Sequence, residues 1–404
     1  MRVTRLPREE NRRGGFVLYH ARGARRARAN LALNYAIHLA NERNLPLLFF
    51  ETLDEPHLST RTATFIREGI DTNCRDAESR GLGYAFGAVD FDAARLIVTD
   101  ELPANPARVA HVVVDGNGIL PMRAFAKEQY SAKFLRDRAH RLFPQMWANI
   151  DDAAVRVPWS GAAPAAAFDV RELAVPRVAT TGGRAAGLSR LEHFDLTGYA
   201  THRNKSPKHT SGLSPYLHFG HLGIHEIAER ALRGDAPGED IEAFLEEAII
   251  RRELSFNMCF YNPAFASLDA LPNWAKQTLD KHRHDRRKPV YSYEELEAAE
   301  THDEVWNVSQ RQLLETGTIH GYLRMLWGKK IIEWSPTPED AHAAMVRMHD
   351  LYAIDGRDPN THAGILWCFG KHDRPWAPER PIFGMVRWMS SEMTRKKVPA
   401  LFKS

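Results

Sequence analysis

Several stretches of the C-terminal half carry side chains of a kind and spacing that can do chemistry. In Thr210-Ser211-Gly212-Leu213-Ser214-Pro215-Tyr216-Leu217-His218-Phe219-Gly220, hydroxyl residues and a glycine run directly into a helix-like segment. Free N–H groups at a helix start, helped by Ser and Thr hydroxyls, suit a pyrophosphate, although the same residues serve as ordinary helix caps. In IEAFLEEAIIRREL, from Ile241 to Leu254, the residues Phe244, Glu247, Arg251 and Leu254 fall along one helical face. A carboxylate on such a face is either paired, with Arg251 at i,i+4 as the obvious cation, or has a raised pKa.

The segment DEVWNVSQRQLLETGTIHGYLRMLWGKKIIEW, from Asp303 to Trp334, breaks into two helices at Thr316-Gly317-Thr318. The second presents Ile319, Leu323, Leu326 and Lys330 on one face and His320, Arg324, Trp327 and Ile331 on another, both reading as largely buried. An arginine there needs a carboxylate, and DGRD from Asp355 to Asp358 is the obvious supplier. Trp327 and Trp334 are seven residues apart, about 10.5 Å of helical rise on nearly one face. That spacing suits electron hopping, and it equally suits two core aromatics. The last segment, DGRDPNTHAGILWCFGKHDRPWAPERPIFGMVRWM, adds Trp367 beside the core-like Ile365 and Leu366, and a basic stretch around His372, Arg374 and Arg380.

Two kinds of scaffold must position these residues. From Phe16 to Asp115, short apolar runs alternate with helical patterns: FVLYH, Asn30 to Asn41, PLLFFE, Thr62 to Ile70, RLIVTD and HVVVD. That is the rhythm of a parallel sheet. No GxGxxG or GxxxxGK[ST] follows any of these strands, so the sheet carries neither a dinucleotide fingerprint nor a P-loop. Ala, Pro and Gly dominate from Asp151 to Gly187, as in VPWSGAAPAAAFDV and ATTGGRAAG, and read as a connector. From Leu188 onward apolar spacings of three and four predict an all-helical domain. The expected division is an α/β domain over 1–150, a connector over 151–187 and a helical domain over 188–404.

With 44% hydrophobic and 26% charged residues in 404, the chain can bury two cores. Its formal net charge of +3 permits a polyanionic partner without demanding one. Arg2, Arg5, Arg8, Arg12, Arg13, Arg22, Arg25, Arg26 and Arg28, against Glu9 and Glu10, read as a solvated and partly disordered arm. Cys74, Cys259 and Cys368 form no CxxC pair and no zinc spacing, so neither disulfide nor metal is expected and a reducing compartment fits. The apolar run after Arg12-Arg13 is too short for an export signal, and no stretch of about 18 apolar residues is present to span a membrane. The cytoplasm is the expected location.

The quoted segments, strongest from about Tyr199 to Met389, resemble the class II DNA photolyases of the photolyase/cryptochrome family, and RRARANLALNYAIHLANERNLPLLFF echoes that family's first helix and second strand. The resemblance implies an N-terminal Rossmann-like parallel-sheet domain and a C-terminal all-helical FAD-binding domain. It implies that FAD is held by Tyr199, Thr210, Ser211, Gly212, Leu213, Ser214, Arg324, His349, Asp355, Gly356 and Asp358, with Arg203-Asn204 nearby. Glu247 would face the lesion, and Trp306, Trp327 and Trp334 would carry electrons to the flavin. Glu247, Arg251, Met325 and Trp367 would contact a flipped-out dimer. The implied activity is light-driven repair of cyclobutane pyrimidine dimers in UV-damaged DNA by a monomeric lyase with no membrane partner. A cryptochrome-like photoreceptor without repair is the alternative, and it has no need of Glu247, Met325 and Trp367 together.

The chain departs from the family pattern in its shorter length and at His20-Ala21-Arg22, where an aromatic-Met-Gln sequence is usual. It departs again at His349, which stands where an Asn near flavin N5 is usual. A histidine titrates near neutrality, so flavin protonation would become pH-dependent between about pH 6 and 8.

Overall fold

A computed structural model of the chain describes residues 2–53, 57–103, 109–161 and 171–402; AAPAAAFDV of the expected connector lies outside the described residues. The chain forms two compact units, one of Met1–Ala126, Asp137–Phe194 and Ser211–Gly234, the other of Lys127–Arg136, Asp195–Thr210 and Asp235–Ser404.

The first unit is built on a six-stranded sheet in the order Val3–Arg5, Val112–Val114, Ala94–Asp100, Phe16–Ala21, Leu47–Glu51, Gly83–Phe86. Val3–Arg5 alone runs antiparallel. Phe16–Ala21 and Leu47–Glu51 are apolar over nearly their whole length because both faces are covered, and Val17, Leu18, Tyr19, Phe49 and Phe50 are fully buried. Helix Leu31–Glu42 starts where the Asn30 side chain accepts from the N–H groups of Ala32 and Leu33, and helix Thr60–Ser79 where Ser59 accepts from Thr62.

Of the parallel strands Phe16–Ala21 comes first in the chain, the next two add on one side of it and the last two on the other, so the topological switch falls between Phe16–Ala21 and Ala94–Asp100. At that carboxyl edge the Asp100 carboxylate accepts from the N–H groups of Arg22, Gly23 and Ala24 at 2.9, 2.9 and 3.0 Å. Tyr19 donates to it at 2.8 Å, His20 Nε2 and Thr52 Oγ1 are 2.7 Å apart, and Arg25 donates to the Thr52 carbonyl at 2.5 Å. The edge is thus spanned by the protein's own hydrogen bonds.

Two expectations change here. The arginine-rich start is no disordered arm: Val3–Arg5 is an edge strand, Arg2 donates to the carbonyls of Asp115, Gly118 and Met146, and Arg25 and Arg26 are 5% exposed. Backbone carbonyls accept from Arg25 Nη2 and from Arg26, and Glu51 lies 3.6 Å from Arg25 as a counter-charge, for guanidinium groups that charge counting alone assigns to water. The helical segments Arg184–Glu192 and Ile224–Arg233 also belong to this unit, rather than to the helical domain expected from 188 onward. Arg184 donates to Glu226 at 3.0 Å and Arg26 Nε lies 3.7 Å from the same carboxylate.

The second unit is helical, as the sequence predicts. A helix over Gly238–Leu245 continues through a π-helical turn, Glu246–Arg251, into Arg252–Tyr261. Glu304–Thr316 ends at Gly317, in the left-handed conformation at φ +73°, and Gly321–Trp334 follows. Gly321–Trp334 packs against Glu304–Thr316, Pro338–Tyr352 and Pro359–Cys368. Trp306, Trp327, Trp334, Ile331 and Leu366 lie at the centre of one continuous apolar core.

Candidate functional site

The Arg324–Asp355 pair read from the sequence is formed in the second unit. Arg324 Nη2 lies 3.5 Å from both Asp355 oxygens, at the outer limit of hydrogen bonding. Its buried Nε has no hydrogen-bond partner among the described residues. The DGRD turn that supplies the carboxylate is held tightly. Ile354 N–H bonds to Gly317 O at 2.9 Å, Thr361 Oγ1 donates to Asp355 O at 2.8 Å, and Asp358 caps helix Pro359–Cys368 by accepting from Asn360 N–H at 2.8 Å. A Cβ at Gly356 would sit 2.4 Å from the His349 carbonyl oxygen, so only glycine lets the turn close on the preceding helix.

His349 is 2% exposed and its Nδ1 donates to Met345 O at 2.9 Å. Burial, with the Arg324 charge nearby, pushes its pKa down to about 4. The ring is therefore neutral between pH 6 and 8, and the titration near neutrality expected from an ordinary histidine is removed by burial. With Nδ1–H committed to a carbonyl, neutral His349 has only an acceptor left at Nε2.

The tryptophans connect directly to this cluster. Trp327 meets His349 edge to face, with centroids 5.0 Å apart. Trp306 Nε1 donates to Trp327 O at 3.0 Å, and the Trp306 ring meets Trp334 at 5.6 Å and 71°. All three are at most 1% exposed. Helical spacing pairs Trp327 with Trp334, whereas the packing inserts Trp306 from the preceding helix, giving the order Trp327, Trp306, Trp334. Trp327 Nε1 donates to Gln310 Oε1 at 2.8 Å, a role missed in the sequence although Gln310 lies four residues after Trp306.

Glu247 does not pair with Arg251. The π-helical turn widens the helix there, and Glu247, its side chain 44% exposed, instead approaches Arg203 Nε at 3.7 Å. Arg203 also lies over the Tyr199 ring at 5.8 Å, and Tyr199 packs edge to face on Phe244. The Asp240 carboxylate holds the Tyr199 helix start by accepting from Gly198 and Ala200 N–H, both at 2.8 Å. Burial, reinforced by Glu247, pushes the Tyr199 phenol up. Arg251 instead sits over the face of Trp367 at 5.1 Å with Glu246 at 3.3 Å, and Arg136 donates to Glu246 at 2.9 and 2.6 Å.

Trp367 and Met325 are both half-buried, and Met325 packs against the apolar core. The basic stretch divides. Arg374 and Arg380 are exposed and lie over Trp376 and Trp388 at 4.3 and 4.2 Å. His372 is buried, donates through Nδ1 to Tyr130 O at 2.8 Å, and is held at about 4 by burial, so it leaves the expected set of phosphate contacts.

Of the phosphate segment, Thr210 belongs to the second unit and Ser211, Gly212, Leu213 and Ser214 to the first. Gly212 adopts φ +67°, with Arg190 Nε donating to Ser211 O at 2.6 Å beside it, and Ser214 opens a helix of five residues, Ser214–His218.

Comparison with known proteins gives this arrangement its setting. A protein of Methanothermobacter thermautotrophicus named deoxyribodipyrimidine photo-lyase is 37% identical, covering 96% of this chain and 94% of that protein. Proteins of the same name from Oryza sativa and Potorous tridactylus are 34% and 32% identical, each over 95% of this chain. The chain belongs to the photolyase/cryptochrome family. No family model matches it. The family fold is shared with a Synechocystis cryptochrome, at TM-score 0.73 and 13% identity over 95% of this chain and 86% of that one. It is also shared with a class III photolyase of Agrobacterium tumefaciens, at 0.69 and 17% over 95% and 84%.

The photolyase/cryptochrome proteins include a Sulfolobus tokodaii photolyase solved with two FAD molecules. The residues of this chain fit a flavin. The buried Arg324 Nε lacks an acceptor among the described residues, and its contacts to Asp355 at 3.5 Å leave donor capacity that carbonyl and ring-nitrogen acceptors of an isoalloxazine can use.

Proposed function

We propose that the protein is a class II type photolyase that binds FAD and splits cyclobutane pyrimidine dimers in UV-damaged DNA under light. The observation that carries this reading is the clustering in one unit of the Arg324–Asp355 pair, buried His349 against Trp327, and Trp306 bonded to the Trp327 carbonyl and packed on Trp334. The class II assignment rests on the Asp303–Trp334 and DGRD motifs, beside full-length likeness to proteins named deoxyribodipyrimidine photo-lyase.

When bound, the flavin supplies light absorption and one-electron transfer. Arg324 would donate to its acceptor atoms, Asp355 would orient that guanidinium, and neutral His349 would offer it an acceptor. Tyr199, Thr210 and Ser211 to Ser214 would hold the rest of the dinucleotide. Trp327, Trp306 and Trp334 would refill it with electrons. Trp367 and Met325 would stack the extruded dimer, with Arg251 over the indole face. Glu247, beside Arg203, would in its protonated form donate a hydrogen bond to the dimer carbonyls where charge develops. Exposed Arg374 and Arg380 would contact phosphates, giving affinity that falls with salt.

The deciding experiment records the visible spectrum of the purified protein and then follows blue-light-dependent loss of cyclobutane dimers from a UV-irradiated oligonucleotide. Flavin absorbance with repair is expected. Flavin without repair would transfer the reading to a photoreceptor, and a colourless protein that cannot be reconstituted with FAD would end it.

A further inference from the structure

Trp367 lies beside the helix that carries Trp327 and Trp334 and is a fourth indole that could exchange electrons with them. It sits on Pro359–Cys368, which packs against Gly321–Trp334. The two helices meet at the residues that follow the tryptophans, since a Cβ at Gly328 would be 2.6 Å from Cys368 Sγ. Unlike Trp327, Trp306 and Trp334, Trp367 is half-buried rather than fully enclosed. An electron drawn sideways from it would leave a radical cation in the proposed dimer pocket.

Charge distinguishes this indole from the other three. Beside the buried tryptophans, Arg324 faces Asp355 at 3.5 Å, and Lys330, 5.5 Å from the Trp334 ring centroid, is paired with Glu333 at 2.8 Å. His349 against Trp327 is neutral. Trp306 and Trp327 also aim their indole N–H groups at oxygens, the Trp327 carbonyl and Gln310 Oε1, and such bonds favour positive charge on the ring.

At Trp367 the balance is reversed. The Arg251 guanidinium lies over the ring, 5.1 Å from its centroid. The nearby carboxylate, Glu246, gives both its oxygens to Arg136 at 2.9 and 2.6 Å and approaches Arg251 Nε at 3.3 Å. That Nε is buried and has no hydrogen-bond partner among the described residues. Glu246 is thus committed first to Arg136, and the Arg251 charge over the indole is incompletely offset. Glu247, the next residue, turns to Arg203 instead. Lys371 is paired with Glu128, and His372, 6.4 Å from the Trp367 ring, is held neutral by burial. A guanidinium over an indole attracts the neutral ring and repels its radical cation.

We propose that Arg251, held over Trp367 beside the Arg136–Glu246 fork, confines oxidation to Trp327, Trp306 and Trp334 by making the Trp367 indole harder to oxidise. The proposal rests on the reading of those three tryptophans as the path to bound flavin. The step it suppresses is transfer of one electron from the Trp367 ring to an oxidised Trp327 ring, which would restore Trp327 and leave a radical cation on Trp367. No bond breaks in that step, so the charge beside each ring sets its direction.

The test uses the full-length protein with FAD bound and oxidised, under blue light with dithiothreitol as electron source, and reads flavin bleaching and the radical by electron paramagnetic resonance. Trp306→Phe should stop photoreduction. Adding Arg251→Gln should raise it at least about tenfold over Trp306→Phe alone, because the repelling charge is gone. Trp367→Phe added to that pair should abolish the gain. Arg251→Lys, which keeps the charge, should give no gain. Arg136→Gln, which frees Glu246 to neutralise Arg251, should give a smaller gain, and it decides the question if the Arg251 variants fail to hold flavin. No gain with either neutral substitution, or an equal gain with Arg251→Lys, overturns the inference alone. Photoreduction undiminished in Trp306→Phe overturns the reading of the path, and the inference with it.

Discussion

Single residues decide whether the cluster can hold a cofactor and pass electrons to it. Removing the Arg324 charge, as in Arg324→Met, takes the guanidinium away from the buried Asp355 carboxylate and deprives a flavin of its donor. About 1–3 kcal/mol of stability should be lost, and the flavin should separate from the variant on gel filtration, read by its fluorescence. Trp306→Phe removes the link between Trp327 and Trp334 while filling most of the same volume. Flavin should remain bound and photoreduction should stop, whereas repair after chemical reduction of the flavin should persist. At His349 the structure reverses an expectation from residue type. The ring is held at about 4 by burial and by Arg324, so photoreduction spectra should be independent of pH between about 6 and 8.

At the scale of elements, two local features set the geometry. The turn between Pro338–Tyr352 and Pro359–Cys368 closes only because Gly356 lacks a Cβ, which would meet His349 O at 2.4 Å. Gly356→Ala should lower the free energy of unfolding by about 1–3 kcal/mol, as overpacking does elsewhere, measured by urea titration. It should also weaken flavin binding, since Asp355 and Asp358 flank the displaced backbone. The π-helical turn Glu246–Arg251 is the second feature. Periodicity of 3.6 joins Glu247 to Arg251, and one turn of wider winding sends the former to Arg203 and the latter to Trp367. Helical spacing was legible in the sequence; the local change of winding was not, because no residue type there marks it.

At the scale of the whole molecule, burial of histidines couples stability to pH. Burial holds His221 and His225 at about 3 and His349 and His372 at about 4, against 6.5 for a free imidazole. As pH falls below about 6.5 the unfolded chain gains protons at these positions and the native chain does not. Stability is therefore full above 6.5 and is lost as pH falls toward 4, each histidine contributing up to about 1.4 kcal/mol per pH unit. Asp115, pushed up to about 6 by burial, and Glu51, also raised by burial, oppose this trend. The urea midpoint should be lower at pH 5 than at pH 7, and a midpoint that rises instead would contradict the burial of these rings.

The sequence by itself determined the parallel-sheet and helical character of the two parts, the break at Gly317 and the need of Arg324 for a carboxylate from DGRD, while the set of three tryptophans came from family resemblance. The first three follow from apolar periodicity, from glycine's access to positive φ, and from the cost of burying an unpaired guanidinium. Only the tertiary structure decided that Arg25 and Arg26 are interior, that helices Arg184–Glu192 and Ile224–Arg233 go with the sheet, that Trp306 lies between Trp327 and Trp334, and that His349 is neutral. Each of these depends on which groups distant in sequence remove water from a side chain or satisfy it, and one-dimensional spacing carries no record of that.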